Sequence, residues 1–283
     1  MKITINKMIA LSLMLWVVSF PLQAQDTQLT IATYNIRYDN PKDAPDTWDK
    51  RSPVIINMVK FHEMDIFGIQ EGLKHQVEDL ANGLSNYSYL GVGRDDGAEK
   101  GEYTAIFYNK DKYKELESNT FWLSEDTSKP NKGWDAQLPR ICTWAKFEEL
   151  ETGKQFFVFN THFDHVGVQA RINSAALIMD KAKEVAGDGT VILTGDFNID
   201  QKNEAYLSLK NSEMFKDSYE IAYMVYAPNG TFNSFDNTKS TDRRIDHIFV
   251  TPDIQVNKYG ILTDTYHSRF PSDHFPVLIE VEF

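Results

Sequence analysis

The chain has 283 residues, and its 41 acidic against 29 basic side chains give a formal charge of −12. That balance repels a polyphosphate backbone on average, which argues against a broad duplex nucleic-acid surface. Cys142 is the only cysteine, so an intramolecular disulfide is excluded and stability must come from a packed core.

In chain order, the first 24 residues have the layout of a secretory signal peptide. Lys2 and Lys7 precede an apolar run from Met8 to Phe20, and Leu22-Gln23-Ala24 offers a small-residue cleavage site. The run is short for a membrane span, and no cysteine follows it to take a lipid anchor. Cleavage there leaves a single domain over 25–283, expected to be periplasmic or secreted, monomeric and without stable membrane insertion.

Beyond residue 25, short apolar strands alternate with amphipathic helices. Strand patterns fit 28–37, 64–71, 102–109, 141–148, 154–163, 190–197, 244–250 and 275–283. Helical patterns fit Arg51–Phe61, Lys74–Leu84 and Val168–Val185. The last is the clearest, with Ala170, Ile172, Ala175, Ala176, Ile178 and Met179 on one face. This order predicts an α/β protein without an internal domain boundary.

The strands repeatedly end on polar residues. Asn35, Glu71 and His162 close three of them, and Asp196 and Asn198 follow Gly195 two apart. Asp246 stands inside "RIDHIFV", and Asp273-His274 precede the last strand. Each has an ordinary explanation: a turn at Gly195–Asn198, a helix start at Glu71, an ion pair for Asp246 with Arg243 or Arg244. Together they put at least three carboxylates near strand ends. Two such charges about 4 Å apart repel by roughly 4 kcal/mol at an effective dielectric near 20. A shared rim therefore needs a cation or protonation. Oxygen ligands suit Mg²⁺, Mn²⁺ or Ca²⁺ better than zinc, and His162 and His165 lack the further ligands zinc would want.

Six segments in this order, "TYNIR", "GIQE", "NTHFDH", "TGDFN", "RIDHIFV" and "SDHFPV", resemble the endonuclease/exonuclease/phosphatase superfamily, over nearly all of 28–283. The resemblance implies a four-layer sandwich of two packed mixed β-sheets flanked by helices. It also implies a divalent ion, Mg²⁺ or Mn²⁺, held by Glu71 with Asn35 and Asp273. Asp196 would orient or deprotonate the attacking water, and Asn198 would hold phosphate. His274, oriented by Asp246, would be base or phosphate-stabilising imidazole, and His162 would donate to a phosphate oxygen. Either Asp196 or the His274–Asp246 pair takes the water's proton.

The resemblance implies a phosphoester substrate: a nucleotide, oligonucleotide or sugar phosphate. A phosphodiesterase of nuclease or exonuclease type is the first expectation, loosely akin to the deadenylase–nocturnin group. A phosphomonoesterase acting on a small metabolite or nucleotide comes second, and a phosphate-binding protein without turnover third. "LTGDFNID" lacks the tryptophan and arginine of inositol 5-phosphatases. Arg51, Trp134, Arg140 and Arg171 are candidates to bind substrate, because guanidinium matches phosphate and tryptophan stacks on bases or sugars. Trp122, Trp144 and Cys142 are expected in the core.

Overall fold

The computed structural model describes residues 28–283, so the expected leader lies outside the described residues. Two mixed sheets form the centre. The seven-stranded sheet runs β10 (Met224–Tyr226), β12 (Gln255–Ile261), β13 (Val277–Glu282), β1 (Gln28–Asn35), β2 (Ile66–Gln70), β4 (Ile106–Asn109), β3 (Tyr87–Leu90). The six-stranded sheet runs β5 (Tyr113–Trp122), β6 (Ile141–Glu149), β7 (Gln155–His162), β8 (Val191–Asp196), β11 (Asp246–Val250), β9 (Lys216–Asp217). Parallel pairs lie at the heart of each: β1 with β2, and β7 with β8.

Strand alternation sorts side chains into the layers. Ile31, Ile66, Val158, Ile192 and Ile248 face inward and fill the space between the sheets. Their neighbours point outward. Ala32 and Phe67 meet α1 (Trp48–Phe61) and α2 (Lys74–Gly83), whereas Phe159, Leu193 and Phe249 meet α3 (Val168–Ala186) and α4 (Glu204–Lys210). The expected sandwich, helices outside two sheets, is the fold. Buried on both faces, the central strands carry near-continuous apolar runs, which is why they are legible in the sequence.

Five strands, β3, β5, β9, β10 and β12, are not marked by the sequence pattern. Four of them are the sheet edges. Edge strands bury little: in β5, "YKELESNTFW", only Tyr113, Phe121 and Trp122 are buried. Residues 102–105, expected as strand, enter β4 only at Ile106.

A polar bridge ties the sheets together beneath the strand ends. The Asn160 amide of β7 donates to the carbonyls of Ile69 and Ala105, each 2.9 Å, across the interface. Its Oδ1 accepts from Gln70 Nε2 at 2.7 Å and from Thr194 Oγ1 at 3.2 Å. Gly68 makes room: a Cβ there would lie 2.5 Å from the Asn160 amide. All these groups are buried, so the bonds fix the relative position of the sheets.

Candidate active site

In the six-stranded sheet the ladder register aligns His162, Asp196 and Asp246 as lateral neighbours across β7, β8 and β11. A Cβ at Gly195 would collide with the Thr161 carbonyl, so glycine lets β8 lie against β7 just before the carboxylate. In the other sheet Asn35 pairs with Gln70, and Glu71 leaves β2 with a left-handed backbone, φ 65°. Arg37 and Asn198 share that conformation, φ 58° and 51°, a rare one for such residues and one that collects at functional sites. Asp273 and His274 arrive on the loop before β13, anchored where Ser272 Oγ donates to the Asn35 carbonyl at 2.7 Å.

Asn35 Nδ2 joins the two halves, donating to Glu71 Oε1 at 3.1 Å and to Asp196 Oδ2 at 2.9 Å. Asp196 Oδ1 accepts from the Asn198 backbone N–H at 2.8 Å. Two imidazoles flank the carboxylate: His162 Nε2 at 3.6 Å and His274 Nε2 at 3.8 Å from Asp196 Oδ2. His274 Nδ1 donates to Asp246 Oδ2 at 2.9 Å. The imidazoles differ in protonation. Burial opposes charging His274, but Asp246 and Asp196 outweigh it and push the ring well above its usual value. Burial, with Arg140 and Arg94 nearby, holds His162 neutral, well below that value. Burial and Asp246 raise the Asp196 carboxyl to about 7.

These residues surround a cavity of about 370 Å³. Glu71, His162, Asp196, Asn198, Asp273 and His274 line it, and Asn35 and Asp246 stand behind as hydrogen-bond partners. Arg140 lines it too, buried, with Nη2 donating to His165 Nδ1 at 3.1 Å and Nη1 without a partner. The other three residues expected to bind substrate are elsewhere. Arg51 is corrected most: it is completely buried behind the wall, its guanidinium spent on main-chain carbonyls. Arg171 donates to the Asp164 carbonyl at 3.0 Å, and Trp134 bonds through its backbone to Glu125; neither lines this cavity.

Sequence reading missed Arg37, Tyr38, Glu102, Leu138, His165 and Phe232 on the cavity wall. Glu102 is gripped by both Arg94 Nη atoms at 2.6 and 2.8 Å and lies 3.9 Å from His162 Nδ1. It opens the 102–109 strand pattern but lies in the loop ahead of β4, and nothing in that pattern marks it as a site residue.

The cluster Asp196, Asp246 and His274 brings ligand atoms within 4.8 Å of one another. Because His274 Nδ1 is already bonded to Asp246, we read this trio as a proton-transfer network. A hard divalent ion fits better at Glu71 and Asp273 beside Asn35. Burial raises Asp273 to about 6, with Glu71 adding to the rise. Arg37 faces both carboxylates, 3.9 Å from Glu71 and 3.8 Å from Asp273. The half-buried Glu71 carboxylate, the buried Asp273 carboxylate and the Asn35 amide are an oxygen donor set suited to Mg²⁺ or Mn²⁺.

Comparison with known proteins agrees with the geometry. The family pattern described as endonuclease/exonuclease/phosphatase matches residues 32–274. A Bacteroides thetaiotaomicron protein of that family is 50% identical, with 92% of this chain and 99% of that one covered and a TM-score of 0.90. A mannosyl-6-phosphatase of Bacteroides thetaiotaomicron is 49% identical, covering 90% of this chain and 100% of that one, TM-score 0.89. Nocturnin of Drosophila melanogaster is 22% identical over 94% of this chain, which spans only 48% of that protein. The chain belongs to the endonuclease/exonuclease/phosphatase family, and it is a divalent-metal-dependent phosphoester hydrolase.

Proposed function

We propose that the enzyme is a phosphomonoesterase acting on a sugar phosphate. This reverses the order expected from sequence, which put a phosphodiesterase first. The observation that carries it is the 49% identity, over 90% of this chain, to a protein named a mannosyl-6-phosphatase. The cavity supports it. A monoester dianion has three terminal oxygens to satisfy, and Arg37, Arg140, His162 and His274 line the space around them. Arg140 Nη1, buried and unpartnered, suits a terminal oxygen, since guanidinium is the strong donor for phosphate.

Glu71, Asp273 and Asn35 would hold Mg²⁺ or Mn²⁺, which when bound supplies charge neutralisation at phosphorus. Asp196 takes the proton of the attacking water, its two oxygens fixed by Asn35 and the Asn198 N–H. His274, aimed by Asp246, donates to a phosphate oxygen. Water adds in line as its proton passes to Asp196, the bond from phosphorus to the sugar oxygen breaks, and that oxygen leaves as the alcohol by taking a proton from bulk water, to which Asp196 returns its own. A distant likeness, 24% identity over 89% of this chain, to a Mycosarcoma maydis protein named a 3′-5′-exoribonuclease subunit favours the second reading, a phosphodiesterase.

Purified enzyme with Mg²⁺ or Mn²⁺, tested on a hexose 6-phosphate panel and on mono- and bis-p-nitrophenyl phosphate, decides between them. Monoester turnover that dominates and disappears in chelator supports the proposal; a dominant diester rate defeats it. We further propose export after leader cleavage. N-terminal sequencing of the mature protein checks that, with a start near Gln25 expected. Among the described residues no helix is long and apolar enough to cross a membrane.

A further inference from the structure

The catalytic cavity has a neighbour. A second cavity of about 450 Å³ shares His165, Asn198, Phe232 and Ile245 with it, so one cleft runs from the phosphate site across Phe232. Its own walls are amides, hydroxyls and two cations: Asn233, Ser234, Ser240, Thr241, Lys239 and Arg243.

Phe232 is the conspicuous part. A phenylalanine ring in this core-rich chain would ordinarily be buried, yet it is 40% exposed. It is also held rigidly. Phe232 pairs with His274 in an isolated antiparallel bridge, and Phe275 N–H donates to the Thr231 carbonyl at 2.7 Å. One turn on, the backbone N–H groups of Asn233 and Ser234 donate to the Asp273 carbonyl at 2.8 and 3.1 Å. The Asn233 amide adds a bond to the Ser272 carbonyl at 3.1 Å. Ser234 and Phe235 both take left-handed backbones, φ 56°, to make the turn. The ring packs edge-on to His274 at 5.0 Å. A strained, tightly bonded turn thus presents an aromatic face at the junction of two cavities. Apolar rings bind the C–H face of a sugar, and amide and hydroxyl side chains bind its hydroxyl groups.

We propose that the second cavity is a sugar subsite, with Phe232 as its platform, and that the substrate is a phosphorylated oligosaccharide in place of a free monosaccharide phosphate. The phosphorylated residue occupies the catalytic cavity, and the residue glycosidically linked to it stacks on Phe232. This rests on the sugar-phosphate monoesterase reading above.

The test compares kcat/KM for a hexose 6-phosphate with that for a disaccharide in which the same phosphorylated hexose is linked through its anomeric carbon to a second hexose. The wild-type enzyme should favour the disaccharide by about tenfold, the scale of one aromatic contact. Phe232→Ala should bring the ratio of the two values toward one, whatever it does to both rates. Ser240→Trp, which fills the second cavity from its far wall, should do the same, and Phe232→Tyr should keep the preference. Equal use of both substrates by the wild type, or a preference unchanged in both Phe232→Ala and Ser240→Trp, overturns the subsite and leaves the monoesterase reading standing. If neither sugar phosphate is hydrolysed by enzyme that cleaves bis-p-nitrophenyl phosphate, both readings fall together.

Discussion

In the six-stranded sheet, His162, Asp196 and Asp246 stand side by side because β7, β8 and β11 are in register there. In the seven-stranded sheet, only Asn35 is placed by a strand. Glu71 sits on a left-handed turn after β2, and Asp273 on a loop that reaches back to β1 through Ser272. The half of the site to which we assign proton transfer is thus built by ladder hydrogen bonds. The half to which we assign the ion is built by turns and side-chain clamps. A ladder position is fixed by a row of cooperating bonds, whereas a clamp hangs on one residue, so the two halves should fail differently under mutation.

The largest effect belongs to the ladder-built half. Asp196→Asn keeps the shape of the row and removes its proton acceptor, so kcat should fall by about 10³-fold. Asp196 is buried beside Asp246, which raises its pKa. The neutral amide relieves that repulsion but accepts through one atom where the carboxylate accepts through two, from Asn35 and the Asn198 N–H, so the thermal midpoint should change little. A loss of kcat no larger than the loss of folded protein would mean the row is structural and not catalytic.

The bridge between the sheets tests whether the halves depend on one another. Asn160→Leu takes the Asn160 donor from the Ile69 carbonyl, leaves the Ala105 carbonyl with the Ile69 N–H alone and removes the Gln70 partner. That should cost about 3 kcal/mol, lowering the melting midpoint by roughly 6–10 °C. Activity per folded molecule should fall as well, because the two halves would no longer be held in register. Full specific activity in the folded fraction would show that the site tolerates sheet slippage.

The clamp-built half turns on Arg51. Its Nη1 donates to the Ile36 carbonyl at 2.7 Å and the Pro271 carbonyl at 3.0 Å, its Nη2 to Arg37 at 3.1 Å, and its Nε to Asp46 at 2.9 Å. It therefore staples the segment after Asn35 to the loop carrying Asp273. Arg51→Met should weaken Mn²⁺ binding, read by calorimetry, by about 10–100-fold, the range for partners behind the ligands. Arg51→Lys should not restore it, since an ammonium cannot span four carbonyls. Unchanged Mn²⁺ affinity in both variants would break the distinction between clamp and ladder.

The same contrast explains what the sequence reveals. The rows on β7, β8 and β11 are legible because apolar alternation ends on polar residues at fixed spacing. So are Asn35, Glu71 and the Asp273-His274 pair, which the ordered segments mark. Arg94 and Phe232 come from loops whose residues meet only in the folded chain, and no local pattern points to them; Arg37 and Glu102 fall inside strand patterns that give no reason to read them as site residues. Arg51 shows the reverse error: an arginine near a phosphate site suggests a ligand contact, but its burial and its four carbonyl partners make it part of the frame. The edge strands escaped for a related reason, since half-exposed strands lack the apolar run that marks buried ones.

The smallest effect lies one residue beyond the row. His247 follows Asp246 on β11 and therefore points to the opposite face, among Phe197, Tyr206 and Phe249. Its Nε2 meets the Ile199 carbonyl at 3.0 Å, and Nδ1 has no partner. Burial lowers its pKa despite Asp217 nearby. In the unfolded chain the ring titrates near about 6.5, so below that pH the unfolded state takes up a proton that the folded state refuses. The stabilising contribution is present above pH about 6.5 and is lost as pH falls, by up to about 1.4 kcal/mol per pH unit until the folded ring also protonates. Asp196 and Asp273, raised to about 7 and about 6, act in the opposite direction in metal-free protein, their contribution being lost as pH rises through those values. The raw pH profile therefore mixes signs, and the difference between wild type and His247→Phe isolates the histidine. The urea midpoint at pH 7 minus that at pH 5.5 should be more positive in the wild type than in His247→Phe. Equal separation would mean that His247 charges in the folded state, and that the face behind the catalytic row admits water.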